Sequence, residues 1–279
     1  MQQVFIKKEC YFCNMTKTFT PVETKKFPVR ISRDDKLTVI GSCFATEMGA
    51  RMEASGFKVC TNPFGTLYNP VSIANSIARL DHCVSFRRDE CVEMGAGAGK
   101  ICSWWHHTSF ARLTEDEFLS DANTALQEAS AWWKESNKVI ITLGTAMVWK
   151  LVSNGEVVSN CLKRPSREFS HEMLSAGQVA AVLQRIMAGN PGKEYIFTVS
   201  PIRHMGEGAH LNTLSKAALH LGLQAALENR NGLQHAAYFP AFEIMLDELR
   251  DYRWFAADLV HPTKEAADLV FSRFLDAIR

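Results

Sequence analysis

Short apolar runs alternate along this chain with longer segments in which apolar residues recur at helical spacing. The short runs have the length and composition of buried strands in a parallel sheet. They occupy residues 36–42 (KLTVIGS), 57–61 (FKVCT), 138–144 (KVIITLG), 194–200 (EYIFTVS) and 235–239 (HAAYF). No internal repeat interrupts the alternation, which therefore predicts βαβ units built around one parallel sheet.

The intervening segments are predicted to be helical. They cover residues 44–55, 71–80, 114–136, 175–188, 212–229, 240–250 and 263–278. Gly56 follows the first as a helix-stop signal, and Thr114 with the acidic residues after it suits a helix N-terminus. Two stretches break the pattern, residues 81–110 and 148–165. We expect both to be insertions after the second and third strands, and Asn154-Gly155 predicts a hairpin turn in the latter.

Composition and charge exclude several classes of partner. Lysine and arginine total 31 against 30 aspartate and glutamate residues, so we expect no nucleic acid and no anionic membrane as the main partner. The N-terminal residues lack a secretory signal pattern, and no stretch approaches the ~20 apolar residues of a membrane span. These patterns predict a cytoplasmic protein.

Eight cysteines are scattered without regular spacing, and a chain of 279 residues does not need disulfides to hold its core. We predict reduced thiols. Cys10 and Cys13 form a lone CxxC pair, whereas a structural zinc site needs two further ligands at comparable spacing. We therefore expect no metal.

Chemically active residues cluster where the predicted strands end, which is where open α/β sheets bind ligands. Ser42 and Cys43 follow the first strand, and Arg203 and His204 follow the fourth. Asp258 and His261 precede the last helix at the spacing of a carboxylate that orients a catalytic imidazole. A DxxH pair alone is a weak signal, since such pairs are often structural.

A set of motifs carries a resemblance to a known family. They are GSCFA, NPFGTLYNP, WHHTSF, ITLGTA, NCLKRP, TVSPIRH, SKAAL, FPAFEIMLDELRDYRW and DLVHPT. The chain resembles the GSCFA family, which is placed among the SGNH (GDSL-like) hydrolases. The resemblance implies a single three-layer α/β/α sandwich of flavodoxin-like type over residues 18–279, with residues 1–17 as an N-terminal extension.

The same resemblance implies a catalytic triad. The SGNH signature Gly-Asp-Ser places Cys43 at the nucleophile position and Ser42 at the aspartate position, while Asp258 and His261 match the C-terminal DxxH. A thiol at a helix N-terminus is favoured as thiolate, which supports Cys43. The alternative is that Cys43 packs as a small apolar residue while Ser42 reacts, with His261 removing its proton.

Of the two superfamily motifs that supply oxyanion-hole donors, this sequence matches only one. The superfamily's glycine after the second strand corresponds to Gly65. Its Gly-x-Asn-Asp motif is absent, because this chain has Gly144-Thr145-Ala146-Met147. The Thr145 hydroxyl and the Asn160 amide are the candidate replacements.

Four residues are candidates for binding substrate. His106 and His107, beside two tryptophans, could line a sugar pocket or belong to a hydrophobic lid. Arg203 and His204 could bind a carboxylate, a phosphate or developing negative charge, although an arginine there could equally pair with Asp258 or Glu207.

Together these features predict an acyl esterase that acts through a covalent acyl-enzyme on an O-acylated carbohydrate or a similar small ester, without a cofactor. The alternatives are an acyltransferase that acylates a sugar and a carbohydrate-binding domain that has lost activity. The sequence does not indicate an oligomeric state.

Overall fold

The computed structural model describes residues 19–24, 26–228 and 235–279. The predicted N-terminal extension, with Cys10 and Cys13, lies outside the described residues. The six cysteines within them are free thiols, as predicted.

The described strands form one parallel sheet and two small antiparallel sheets. They are β1 (Lys36–Gly41), β2 (Lys58–Thr61), β3 (Val92–Glu93), β4 (Ile101–Cys102), β5 (Lys138–Leu143), β6 (Met147–Leu151), β7 (Val157–Val158), β8 (Phe169–Met173), β9 (Glu194–Val199) and β10 (Ala236–Tyr238). The central sheet has the order β10-β9-β5-β1-β2 with every pair parallel. All five predicted core strands are confirmed, and their order is that of a flavodoxin-like sheet.

Helices cover both faces of this sheet. They are α1 (Cys43–Ala54), α2 (Pro70–His82), α3 (Glu115–Glu135), α4 (Ala176–Gly189), α5 (Ala209–Glu228), α6 (Ala241–Glu243) and α7 (Lys264–Ile278). Side chains of β5 alternate between the faces: Ile140 packs with α1 and α7, whereas Val139 and Ile141 pack with α2 to α5. The predicted three-layer sandwich is confirmed.

The two predicted insertions form the small sheets. Strands β3 and β4 pair between α2 and α3, and β6 pairs with both β7 and β8. Gly155, at φ +74°, makes the turn of the predicted hairpin. The second insertion runs on to Met173, beyond the predicted boundary, because β8 completes its sheet.

The predicted helix at 240–250 begins as α6 and continues as a π-helical segment, Ile244–Leu249. Arg250, at φ +53°, ends it by donating its N–H to the Met245 carbonyl at 3.0 Å. Within the described residues, no helix combines the length and apolar character needed to cross a membrane.

Candidate active site

A cavity of about 500 Å³ lies at the carboxyl ends of the central strands. It is lined by residues after β1, β2, β5 and β9, by the turn before α7, and by the sheet of β6, β7 and β8. The neighbouring strands β1 and β5 are where the strand order reverses, so the cavity occupies the place where this fold type binds ligands.

Ser42 and Cys43 point to different surroundings at the start of α1. Ser42 is the N-cap of the helix: its hydroxyl accepts the Phe44 N–H and lies 3.0 Å from the Thr142 hydroxyl. Its exposed fraction is 1%, and it does not line the cavity. Cys43 is the first helical residue, is half-buried, and does line the cavity.

The backbone around Cys43 is fixed by a close approach to β5. Gly41 has φ +140°, and a Cβ there would lie 2.1 Å from the Thr142 carbonyl oxygen, so only glycine fits. Ser42 N–H donates to that same carbonyl. The Cys43 N–H, by contrast, has no acceptor among the described residues and lies at the positive end of α1.

Asp258 and His261 form the predicted pair. One oxygen of Asp258 accepts the N–H groups of Val260 and His261 at 2.9 and 3.0 Å, and the other lies 2.7 Å from His261 Nδ1. These backbone bonds, with the imidazole, lower the pKa of Asp258 to about 2. The carboxylate therefore fixes the imidazole by one nitrogen, and His261 lines the same cavity as Cys43.

Tyr68 is a site residue that the sequence did not single out. Its hydroxyl lies 3.5 Å from Cys43 Sγ and accepts a hydrogen bond from the Thr66 hydroxyl at 3.3 Å. Because Thr66 occupies a lone pair, the tyrosine's own proton is free to point elsewhere. Burial and the bond to Cys43 raise the pKa of Tyr68 to about 12, so it keeps that proton. Tyr68 lies in the NPFGTLYNP motif, but its place in that motif did not indicate a function for its side chain.

His204 lines the cavity, as predicted for a binding residue, and Lys216 lies behind it. His204 packs edge-on against the Tyr68 ring, and its buried Nε2 has no hydrogen-bond partner among the described residues. Burial, with nearby Lys216 and His261, lowers the pKa of His204 to about 4, which leaves it neutral at pH 7. Lys216 is 3% exposed and donates from Nζ to the carbonyls of Gly144 and Ser200, each at 2.7 Å.

Arg203 lines the cavity without an acidic partner. Its guanidinium has no carboxylate within 4.0 Å among the described residues, so the predicted alternative of an ion pair with Asp258 or Glu207 is wrong. Asp258 holds His261 instead, and Glu207 lies 2.5 Å from His171 Nδ1.

The predicted oxyanion donors are mostly placed elsewhere. Gly65 donates its N–H to the Asn62 carbonyl at 2.8 Å, and a Cβ there would meet His107 at 2.4 Å, so the glycine serves this packing. The Asn160 side chain accepts the Leu162 N–H and does not line the cavity. Thr145 does line it, but its hydroxyl is bonded to Ser215 and to the Met147 N–H.

The two predicted sugar-pocket histidines are also outside the cavity. His106 is fully buried among phenylalanines, and Nδ1 lies 2.7 Å from the Ser103 hydroxyl. His107 caps a short turn by accepting the Ser109 N–H. Besides Tyr68, the aromatic residue that lines the cavity is Trp149, which stacks on His171 at 3.8 Å between ring centroids.

No group of three or more histidine, cysteine, aspartate or glutamate side chains suited to a metal ion occurs in the described part of the chain.

Comparison with known proteins places the chain in a family. No curated protein matches the sequence. Among solved structures, the chain is similar to an acetyl xylan esterase, Est2A, from the rumen bacterium Butyrivibrio proteoclasticus, with a TM-score of 0.41 and 11% identity. The likeness covers 89% of this chain and 64% of that one, so this chain spans less than two thirds of the esterase. The model of the GSCFA family matches residues 36–274. The chain belongs to the GSCFA family.

Proposed function

We propose that this protein is an acyl esterase that forms a covalent acyl-enzyme on Cys43. The observation that carries the proposal is the shared cavity: Cys43 and His261 both line it, whereas the Ser42 hydroxyl is buried and occupied in capping α1. A thiol at a helix N-terminus that shares a cavity with an imidazole held by a carboxylate is an arrangement suited to activating a cysteine nucleophile.

In the proposed reaction, Cys43 Sγ attacks the carbonyl carbon of the ester as His261 accepts the thiol proton through Nε2. Asp258 holds Nδ1 and stabilises the imidazolium that results. The tetrahedral intermediate collapses, the alcohol leaves with the proton from His261, and a thioester remains. Water, deprotonated by His261, then attacks the thioester, releasing the acid and restoring the thiol.

The oxyanion would be held by the Cys43 N–H and the Tyr68 hydroxyl. The first, at a helix N-terminus, has no acceptor among the residues that the structure describes, and the second is already within 3.5 Å of the sulfur. Donors fixed before the reaction stabilise the charge as it forms. Tyr68 thus takes the place of the missing Gly-x-Asn-Asp asparagine.

The proposed substrate is an O-acylated carbohydrate or a similar small ester. Trp149 supports this, because an aromatic face is a platform on which sugar rings and other flat apolar surfaces pack. Transfer of the acyl group to a sugar, rather than to water, would use the same first half-reaction.

The acyl-enzyme is tested by intact-protein mass after brief exposure to an activated acetyl ester and an acid quench. We expect one acetyl adduct, mapped to Cys43, in the wild type and in Ser42→Ala, and none in Cys43→Ala or His261→Ala. Cys83→Ala is the matched thiol control and keeps the adduct. An adduct that survives Cys43→Ala contradicts the proposed nucleophile.

A complete lack of adducts would instead favour the binding-domain alternative. Free acid released in water identifies an esterase. If the acyl group is instead recovered as a new sugar ester, and only when a sugar acceptor is added, the protein is a transferase.

A further inference from the structure

Arg203 is held in the cavity wall but is not neutralised. Its backbone N–H donates to the Val260 carbonyl, and its Nη1 donates to the Leu259 carbonyl at 3.3 Å. The rings of Phe255 and Tyr252 lie 5.7 and 6.0 Å from its guanidinium carbon. A guanidinium carries five N–H donors, so most of them remain available to a ligand.

The carboxylates nearby are already occupied. Glu207 pairs with His171, and Asp258 pairs with His261. His204, which also faces the cavity, is neutral because burial, with Lys216 and His261 nearby, lowers its pKa, and the Tyr68 hydroxyl keeps its proton because its pKa is raised. The surroundings of Arg203 therefore favour an anion and provide no side chain to supply it.

We infer that the substrate carries a carboxylate, which Arg203 binds through its planar fork. The inference rests on the proposed esterase function and narrows its substrate class to esters of acidic sugars. One guanidinium matches the single charge and two oxygens of a carboxylate, whereas a phosphate monoester carries close to two charges. Trp149, in the wall of the same cavity, would pack against the sugar ring.

The test compares acetylated methyl glucuronoside with acetylated methyl glucoside, two esters that differ in the carboxylate. We expect the wild type to prefer the acidic ester by about tenfold or more in kcat/KM, the size of effect that bonds to a charged group give. Arg203→Gln removes the preference, so that its kcat/KM values on the acidic and the neutral ester become alike. Arg203→Lys keeps the positive charge but lacks the planar fork of N–H donors, so it should retain only part of the preference for the acidic ester.

Arg253→Gln is the matched control, since Arg253 is an exposed arginine outside the cavity. It should leave the preference intact. Equal wild-type rates on the two esters would overturn the inference while leaving the esterase function standing.

Binding supplies a readout that does not depend on turnover. Calorimetry of Cys43→Ala with unacetylated methyl glucuronoside and methyl glucoside should show tighter binding of the acidic sugar, lost on adding Arg203→Gln. If neither ester reacts but this difference is found, the proposed reaction fails and the acidic-ligand site stands. If neither ester reacts and the two sugars also bind with equal affinity, the proposed carboxylate site at Arg203 is contradicted as well.

Discussion

The adjacent residues Ser42 and Cys43 have different roles: Ser42 caps helix α1, and Cys43 is the proposed nucleophile. An N-cap residue turns its side chain back onto the first N–H groups of its helix, and Ser42 does this with Phe44. The next residue projects outwards from the first turn, which brings Cys43 to the cavity. A serine in the second place of this motif therefore stabilises the helix that presents the thiol.

Removing the Tyr68 hydroxyl tests the proposed oxyanion site. We expect Tyr68→Phe to lower kcat by about 10²-fold, the usual effect of losing one such donor, with little change in KM. Steady-state kinetics on an acetyl ester measure this. Tyr238→Phe is the matched control, because its hydroxyl bonds to Glu243 outside the cavity. A Tyr68→Phe enzyme with unchanged kcat would show that another group holds the oxyanion.

Contacts between site residues were predictable from the sequence where the spacing of two residues along the chain determines their separation in space. Asp258 and His261 are three residues apart in one turn, so their contact follows from local structure. Prediction failed for Gly65 and Asn160, because the partner of a loop N–H or amide depends on how that loop turns. Tyr68 was missed for the same reason: its approach to Cys43 depends on two separate strand ends meeting.

At the scale of elements, Lys216 joins two strand ends from helix α5. Its ammonium nitrogen bonds the last carbonyls around β5 and β9, at Gly144 and Ser200. A Cβ on Gly144 would lie 3.0 to 3.2 Å from atoms of Tyr68, Ser42 and His204, so this strand end supports the cavity directly. Lys216 therefore holds together two strand ends that border the cavity.

The pH dependence of stability tests this placement. Burial lowers the pKa of Lys216 to about 7, while the unfolded chain keeps the ordinary value of 10.5. Between these values the unfolded state binds the extra proton, so the contribution of Lys216 to stability grows as pH rises from 7 towards 10.5. Urea unfolding at pH 7 and 9.5 should show a larger loss for Lys216→Met at the higher pH.

Lys134→Met, at an exposed lysine, serves as the control and should show no such change. A pH-independent loss for Lys216→Met would mean that the buried lysine titrates as it does in the unfolded chain.

The sequence predicted the elements better than the site. The five core strands and the helices around them follow from local apolar periodicity, which reports burial directly. The sequence did not predict β8, whose partner β6 is separated from it by the whole hairpin. It also did not predict the π-helical turn after α6, because a helical pattern of apolar residues does not distinguish the two kinds of hydrogen bonding.

At the scale of the whole molecule, the first insertion is tied to the sandwich through a buried histidine. His106 contacts the rings of Phe64, Phe86, Phe110 and Phe118, and within the described part of the chain its Nε2 has no hydrogen-bond partner. The sequence placed this histidine in a sugar pocket or a lid. Its position instead makes it part of the core, where only the neutral imidazole is tolerated.

The buried His106 should therefore lower global stability in mild acid. Burial, with the charge of Arg79, lowers the pKa of His106 to about 3, whereas the unfolded value is 6.5. As pH falls from 6.5 towards 3, the unfolded state binds a proton at this histidine and the folded state does not. The free energy of unfolding therefore decreases. At pH 4.5, two pKa units below the unfolded value, the loss amounts to roughly 3 kcal/mol at 1.36 kcal/mol per pKa unit.

The measurement is the free energy of unfolding at pH 7 and pH 4.5 for the wild type, His106→Gln and His106→Leu. Each variant is at most as stable as the wild type at pH 7, and each should lose roughly 3 kcal/mol less than the wild type on acidification. His210→Gln, at an exposed histidine, should follow the wild type. If all four proteins lose the same free energy, the burial of His106 is not the cause of the loss in acid.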